Sequence, residues 1–226
     1  MMNGTECGAI HVWRSADAVC FDVDSTVCQD EGIDDLATFR GVGERVKEWT
    51  KKAMGGAMSF RVALTERLKI INLTRDELEE FLATHPPRLS PGIEELVALL
   101  RERGVDVYLV SGGFESLIAP MAKRLNIPKE NIFANRLRFF FNGDFGGFDE
   151  SRLTSDSGGK KFVVQSLKQK FGYKNLVMIG DGATDMEAYP PADTFIGFGG
   201  NRIRQRVKEE APWFVTSFQE LIDALQ

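Results

Sequence analysis

The sequence predicts an α/β fold, in which a Rossmann-like core of parallel strands carries an inserted helical cap and a small β-hairpin. Three largely apolar runs predict the sheet, because strands buried on both faces have this pattern. They span residues 18–21, 105–110 and 176–179, and polar or glycine residues follow each of them. Ligands bind outside the carboxyl ends of such strands. We therefore expect the residues after the three runs to form one site.

The first strand is followed by helices instead of a second strand. Helical patterns occur at residues 36–41, 45–53, 60–71 and 74–84. Thr74 and Glu77 have the spacing of a capping box, which fixes the start of the last of these helices. Two prolines at residues 86–87 end it, because proline cannot continue a helix. The predicted division is a cap of residues 30–88 inserted into a core of residues 1–29 and 89–226.

Residues 136–145 interrupt the alternation of strands and helices, and they predict the hairpin. Asn142 and Gly143 form a pair that favours the positive φ values of a tight turn. The aromatic residues 139–141 could stack on nucleobases, but no basic patch surrounds them. We expect them to pack in the core or at an edge.

Composition is that of a soluble enzyme. The chain has 226 residues, 43% of them hydrophobic, which is enough for one domain with an insertion. A formal net charge of −5 argues against non-specific binding to nucleic acid. The three cysteines and two histidines lack metal-ligand spacing, and no leader or membrane-length apolar segment is evident. These features predict a reduced, cytoplasmic protein with neither a membrane nor a nucleic-acid partner.

Four carboxylates predict a metal site. Asp22 and Asp24 follow the first strand, and Asp181 and Asp185 follow the third. Like charges at this density repel one another unless a cation lies among them. Oxygen ligands without His or Cys fit Mg²⁺ better than zinc, and Mg²⁺ sites commonly include a substrate phosphate. The sequence therefore predicts phosphoryl chemistry.

A phosphate site is predicted by two further segments. Residues 111–113, Ser-Gly-Gly, end the second strand, and Lys160 follows another Ser-Gly-Gly at the start of a helical pattern. Helix amino termini favour phosphate, and lysine adds a positive charge. A lone lysine there is more often a solvated helix residue, and a lone Asp-x-Asp is more often a turn. Their combination at three strand ends favours the functional interpretation.

The same segments resemble, in order, the four motifs of the haloacid dehalogenase superfamily. Residues 22–27, with their Asp-x-Asp-x-Thr pattern, have the form found in its phosphatases. The resemblance is closer to the branch that hydrolyses O-phosphoserine. The segments that carry it are residues 31–34, 54–56, Phe60 with Arg67, Phe114 and residues 197–201. It extends from about Ser15 to the end of the chain.

Chemistry assigns roles to the two carboxylates of the first motif. Asp22 is the expected nucleophile, since a carboxylate beside Mg²⁺ is ionised at neutral pH and can form an aspartyl phosphate. Asp24 is expected to protonate the departing oxygen and then to activate water. Ser111, the amides near Gly112 and Gly113, and Lys160 are expected to hold the phosphoryl oxygens, with a further hydrogen bond from Thr184.

The resemblance implies the remaining assignments. Mg²⁺ would bind the side chains of Asp22 and Asp181 and the backbone carbonyl of Asp24, while Asp185 would orient a water. In the cap, Glu31 would bind the substrate ammonium and Arg67 its carboxylate. Met54, Gly55 and Phe60 would shape the wall, and Arg204 would contribute from the core. Residue patterns alone would make Arg67 a solvated helix residue. The resemblance also implies a homodimer.

Three alternatives remain, and the last of them is of a different class. A mutase of the same superfamily would shift phosphate within its substrate without releasing it. Another small-molecule phosphatase would differ only in its cap contacts. A phosphate-binding module without activity would have lost Asp22, Asp24 or Lys160, and all three are present.

Overall fold

The computed structural model describes residues 4–52 and 59–226 and contains a six-stranded parallel sheet. The strands are β1 (Ala18–Phe21), β2 (Asp106–Phe114), β3 (Ile132–Asn135), β6 (Leu176–Gly180), β7 (Thr194–Phe198) and β8 (Trp213–Val215). Their order is β3-β2-β1-β6-β7-β8, and each neighbouring pair is parallel. The separate hairpin consists of β4 (Leu137–Phe139) and β5 (Phe145–Phe148). The predicted α/β fold is confirmed.

Eleven α-helices are found in the described part of the chain. They are α1 (Gly4–Arg14), α2 (Gly32–Phe39), α3 (Gly43–Lys52), α4 (Phe60–Ile71), α5 (Arg75–Thr84), α6 (Ile93–Glu102), α7 (Glu115–Arg124), α8 (Gly159–Phe171), α9 (Ala183–Met186), α10 (Gln205–Glu210) and α11 (Phe218–Leu225). None of the described helices combines the length and apolarity that a membrane crossing requires.

Strand β1 lies at the centre of the sheet and is buried on both faces. Its side chains alternate, so that Val19 and Phe21 join one apolar cluster while Ala18 and Cys20 join the other. All four residues have no exposed surface. This burial explains why the strand is a continuous apolar run, and it delivers Asp22 to the edge of the sheet.

Helices α2 to α5 pack around an apolar cluster distinct from the two that cover the sheet. The predicted capping box is present: Thr74 accepts a hydrogen bond from the Glu77 amide at 3.3 Å, and the Glu77 carboxylate accepts one from the Thr74 amide at 2.8 Å. Helix α2 begins at Gly32, earlier than the pattern predicts. The cluster also includes Phe114 of β2 and Phe148 of β5, so the cap of residues 30–88 that we propose packs through it onto the core and the hairpin.

The hairpin is present, but its turn differs from the prediction. Gly143 has a φ of 89°, whereas Asn142 is not among the residues with positive φ. The turn closes with hydrogen bonds from the Gly143 amide to the Phe140 carbonyl and from the Phe140 amide to the Asp144 carbonyl. One residue with positive φ is therefore sufficient. Phe140 and Phe141 are exposed at the tip, so the expectation that they pack is wrong.

Helix α1 lies before the region that the sequence motifs cover. Its Trp13 is 1% exposed, belongs to the main apolar cluster of the sheet and donates a hydrogen bond from Nε1 to the Leu221 carbonyl at 3.1 Å. The amino-terminal helix is therefore tied to α11 at the other end of the chain. Its contacts make it part of the core.

We expect Trp13→Ala to lower the free energy of unfolding by about 3–5 kcal/mol, because the change opens a cavity in the core and leaves the Leu221 carbonyl without its donor. Urea denaturation measures the loss. Phe141→Ala is the matched control, since that aromatic side chain is fully exposed; its effect should stay within about 0.5 kcal/mol. Equal stability of the two variants would show that α1 does not belong to the cooperative core.

Candidate active site

The polar residues that follow β1 and β6 and those in the last part of β2 meet at one edge of the sheet, where a cavity of about 350 Å³ opens. Strand β2 continues to Phe114, so residues 111–113 lie within it, whereas the sequence had predicted that they follow it. Its lining on the core side includes Asp22, Asp24, Ser111, Lys160, Asp181 and Thr184. Gly112 and Gly113 line it beside Ser111. Asp185 is fully buried and lies beneath the cavity. The structure thus brings together every core residue that the motifs had singled out.

The first motif forms a tight turn that fixes both of its carboxylates. Asp22 accepts a hydrogen bond from the Val23 amide at 2.7 Å, and Asp24 accepts one from the Gly32 amide at 2.9 Å. Ser25 has a φ of 57°, a left-handed conformation that costs energy in a residue other than glycine. The strained turn directs the two carboxylates into the same cavity.

Lys160 forms two ion pairs, one with Asp22 in the cavity lining and one with the buried Asp185. Its Nζ lies 2.6 Å from Asp22 Oδ1 and 2.5 Å from Asp185 Oδ1, and the residue is 8% exposed. Gly159 allows this position, because a Cβ there would lie 2.2 Å from the Leu153 carbonyl oxygen. The glycine before Lys160 therefore serves close packing of the helix against the preceding loop.

Carboxylates outnumber cations at this edge. Asp22, Asp181 and Asp185 each offer an oxygen, and these oxygens lie within 4.8 Å of one another. Burial, followed by the charge of Asp22, raises the pKa of Asp24 to about 7. The same two causes raise the pKa of Asp181 to about 6, although Arg204 opposes the shift. A further cation would relieve this repulsion, and oxygen donors suit a hard divalent ion.

The second motif is held by hydrogen bonds within itself and to β3. Ser111 is 1% exposed, and its Oγ accepts a hydrogen bond from the Gly113 amide at 2.9 Å. The Gly112 carbonyl accepts a hydrogen bond at 2.8 Å from Asn135, a buried residue at the end of β3. Asn135 also joins the loop before Lys160, because its Oδ1 accepts from Thr154 at 3.0 Å. This amide was not found from the sequence, since its partners are distant along the chain.

On the cap side, the cavity is lined by Glu31, Phe60 and Arg67. Glu31 accepts a hydrogen bond from Ser25 Oγ at 2.8 Å. Arg67 donates one from Nε to the Ala63 carbonyl at 3.2 Å and makes no ion pair within the described residues. Met54 and Gly55, the other predicted wall residues, lie outside the described part of the chain.

Arg204 lines the cavity from the core but already has partners. Its Nε donates to Asp181 Oδ2 at 2.7 Å, and its Nη2 lies 3.5 Å from Glu31 Oε1. The resemblance had assigned Arg204 to the substrate, and nothing in the residue pattern indicated these contacts. Asp156 and Glu187 also line the cavity without having been predicted. Neither belongs to a local pattern that would have revealed it.

Comparison with known proteins agrees with these motifs. The haloacid dehalogenase-like hydrolases match residues 16–193. The phosphoserine phosphatase of Bos taurus is 60% identical over 216 residues, 96% of this chain and 96% of the relative. That of Homo sapiens is 58% identical over 215 residues, 95% of this chain and 96% of the relative. A solved structure, the phospho-aspartyl intermediate analogue of phosphoserine phosphatase, has a TM-score of 0.80 at 27% identity and covers 93% of this chain and 99% of its own. The chain belongs to the haloacid dehalogenase-like hydrolase family.

Proposed function

We propose that the protein hydrolyses O-phosphoserine to serine and phosphate, with Mg²⁺ as cofactor. One observation carries the proposal: a single cavity joins the Asp22, Asp24 and Lys160 centre to a carboxylate, Glu31, and a guanidinium, Arg67, on its cap side. Serine presents an ammonium and a carboxylate beside its phosphate, so these groups complement it in charge. Relatives that are named phosphoserine phosphatase and match nearly the whole chain support the same substrate.

The reaction has two steps. In the first, an oxygen of Asp22 attacks phosphorus, the bond between phosphorus and the serine oxygen breaks, and Asp24 gives its proton to that oxygen. In the second, Asp24 takes a proton from water, whose oxygen attacks phosphorus and breaks the bond to Asp22. Phosphate leaves and Asp22 is regenerated as a carboxylate. Asp24 returns to its protonated form, so the cycle closes.

Positive charge and amide donors stabilise the transferring group. Lys160 and Ser111 would contact the phosphoryl oxygens, and the amides of Gly112 and Gly113 would add donors where negative charge spreads. Thr184 would contribute a further hydrogen bond. Lys160 is held by its two ion pairs and needs little reorganisation when phosphate arrives.

The donor set suits Mg²⁺. Asp22 and Asp181 would supply carboxylate oxygens, Asp24 would supply its backbone carbonyl, and Asp185 would act through a water. The ion would neutralise charge on the phosphoryl group.

The proposal further includes a homodimer in the cytoplasm that carries out the last step of serine biosynthesis. These points are supported by the resemblance and composition of the chain.

The test of the proposed function is phosphate release from a panel of phosphomonoesters with Mg²⁺. We expect O-phosphoserine to have the highest kcat/KM of the panel. Asp22→Asn should abolish phosphate release, because the amide removes the nucleophile but keeps the size of the side chain. The far-ultraviolet circular dichroism spectrum of this variant should stay unchanged. A preference for another ester would identify a different small-molecule phosphatase. Phosphate shift without release would identify a mutase.

Removal of divalent ions should end turnover, and Mg²⁺ should restore it. Ca²⁺ should bind without supporting turnover, because it accepts more ligands at longer distances and can take both oxygens of Asp22, which turns the nucleophile away from phosphorus. Asp181→Asn should raise the Mg²⁺ concentration needed for half-maximal activity. Titration of phosphate release against each ion measures these effects, and full activity with Ca²⁺ contradicts the assignment.

Arg67→Ala should lower kcat/KM for phosphoserine by about 10- to 150-fold, since a charge-assisted hydrogen bond contributes roughly 1.5–3 kcal/mol. Phosphoethanolamine lacks the carboxylate, so both proteins should hydrolyse it poorly and almost equally. Lys69→Ala is the matched control, because it removes an exposed cation from the same helix, α4. If Arg67→Ala lowers kcat/KM for both substrates by the same factor, Arg67 supports the cap and does not bind the substrate carboxylate.

A further inference from the structure

Asn201 is the last residue of the segment 197–201 that carries the resemblance, and none of the proposed roles uses it. It follows two glycines after β7, and its Nδ2 lies 3.1 Å from the Ser25 carbonyl oxygen, 3.5 Å from that of Thr26 and 3.3 Å from that of Cys28. A fourth oxygen, Ser90 Oγ, lies at 2.6 Å. One amide nitrogen thus faces the turn that carries Asp24.

These partners belong to both connections between the core and the proposed cap. Ser25 and Cys28 lie on the outgoing chain, and Ser90 lies on the returning chain next to the isolated bridge between Cys28 and Leu89. Ser90 is buried, and its Oγ donates to the Thr26 carbonyl at 2.6 Å. Since that hydroxyl hydrogen is used, Ser90 accepts the hydrogen bond from Asn201. The amide therefore binds both connections to the loop after β7.

The chemistry of this position requires a donor. Three of the four neighbours of Nδ2 are backbone carbonyl oxygens, which only accept hydrogen bonds. An oxygen at the same place would face acceptors and repel them. Close packing also fixes the place of Asn201. A Cβ at Gly200 would lie 2.8 Å from the Thr216 carbonyl oxygen, so the backbone just before Asn201 packs against the residue that follows β8.

The turn needs such support because it is strained. Ser25 is left-handed, and its carbonyl is the one nearest to Asn201 among the backbone acceptors. If Ser25 left this conformation, the backbone on either side of it would change direction, and Asp24 lies immediately before it. The hydrogen bond from Gly32 to Asp24 restrains the carboxylate from the other side.

We infer that Asn201 is a positioning residue that holds the turn of residues 23–27 so that the Asp24 carboxylate faces the leaving oxygen. The inference rests on the proposed function, in which Asp24 is the general acid. Asn201 itself lies outside the cavity lining and does not act on the substrate directly.

The experiment compares two small substrates at saturating Mg²⁺. Phosphoserine needs protonation of its leaving alkoxide, whereas acetyl phosphate releases acetate and does not. Asn201→Asp keeps the size of the side chain but replaces the donor by an acceptor. We expect it to lower kcat for phosphoserine by about 10- to 100-fold and kcat for acetyl phosphate by no more than about threefold. Asn201→Ala should fall between Asn201→Asp and the unchanged protein.

Three variants complete the design. Asp24→Asn calibrates the leaving-group effect, and if it slows both substrates equally, the acid assigned in the proposed function is wrong. Asn175→Asp makes the same substitution at an amide that binds the Ser15 carbonyl at the opposite end of the sheet; both rates should stay within about twofold. Ser90→Ala should lower kcat for phosphoserine more than kcat for acetyl phosphate, as Asn201→Ala does, but by a smaller factor. It replaces Asn201→Asp as the test if that variant does not fold.

The ordering of the variants decides the inference. If Asn201 only filled space, Asn201→Asp would be less harmful than Asn201→Ala, and each would slow both substrates by one factor. That result overturns the inference while leaving the proposed function intact, provided that Asp24→Asn shows the leaving-group effect. Recovery of Asn201→Asp when Mg²⁺ is raised above the concentration that saturates the unchanged protein also overturns it, because the residue would then hold the Asp24 carbonyl toward the metal instead of the carboxylate toward the substrate.

Discussion

The buried ion pairs of Lys160 are the interaction on which the site depends. Burial alone would lower the pKa of this lysine, but the charges of Asp185 and Asp22 raise it above its ordinary value. Removing such a group from water is costly unless its partners are close and well oriented. Both carboxylates lie within 2.6 Å of Nζ. The lysine therefore joins the first, third and fourth motifs into one unit, and the parallel order of β1 and β6 supplies the required proximity.

Charge balance also links the metal site to the substrate site. Arg204 contacts Asp181, the proposed metal ligand, and lies near Glu31, the proposed ammonium partner. Glu31 in turn accepts a hydrogen bond from Ser25, next to Asp24. A change of charge at Asp181 therefore acts on Arg204 and, through it, on Glu31. Arg67 differs, because within the described residues the only hydrogen bond of its side chain goes to a carbonyl of its own helix.

The sheet and the core half of the site could be predicted because their signals are local. A buried strand is apolar along its whole length, and the polar residues after it lie at its carboxyl end without further information. Asn201 and Asn135 could not be found in this way. Their partners lie on other loops, and an asparagine in a Gly-rich loop is most often a turn residue. Likewise, α1 depends on the contact of Trp13 with α11, which no local pattern encodes.

The turn of the hairpin and the turn at Asp24 show how context decides backbone conformation. At residues 142–143 only the glycine of the Asn-Gly pair is left-handed. The hydrogen bond from the Phe140 amide to the Asp144 carbonyl encloses a loop of three residues, which is longer than the two-residue turn that needs two left-handed residues. At Ser25 a residue with no such preference is left-handed. There, contacts from Glu31, the Asp30 carbonyl and Asn201 surround the residue and offset the strain. At the exposed turn the loop length thus decides which residue is left-handed, whereas long-range hydrogen bonds determine the turn that carries the carboxylates.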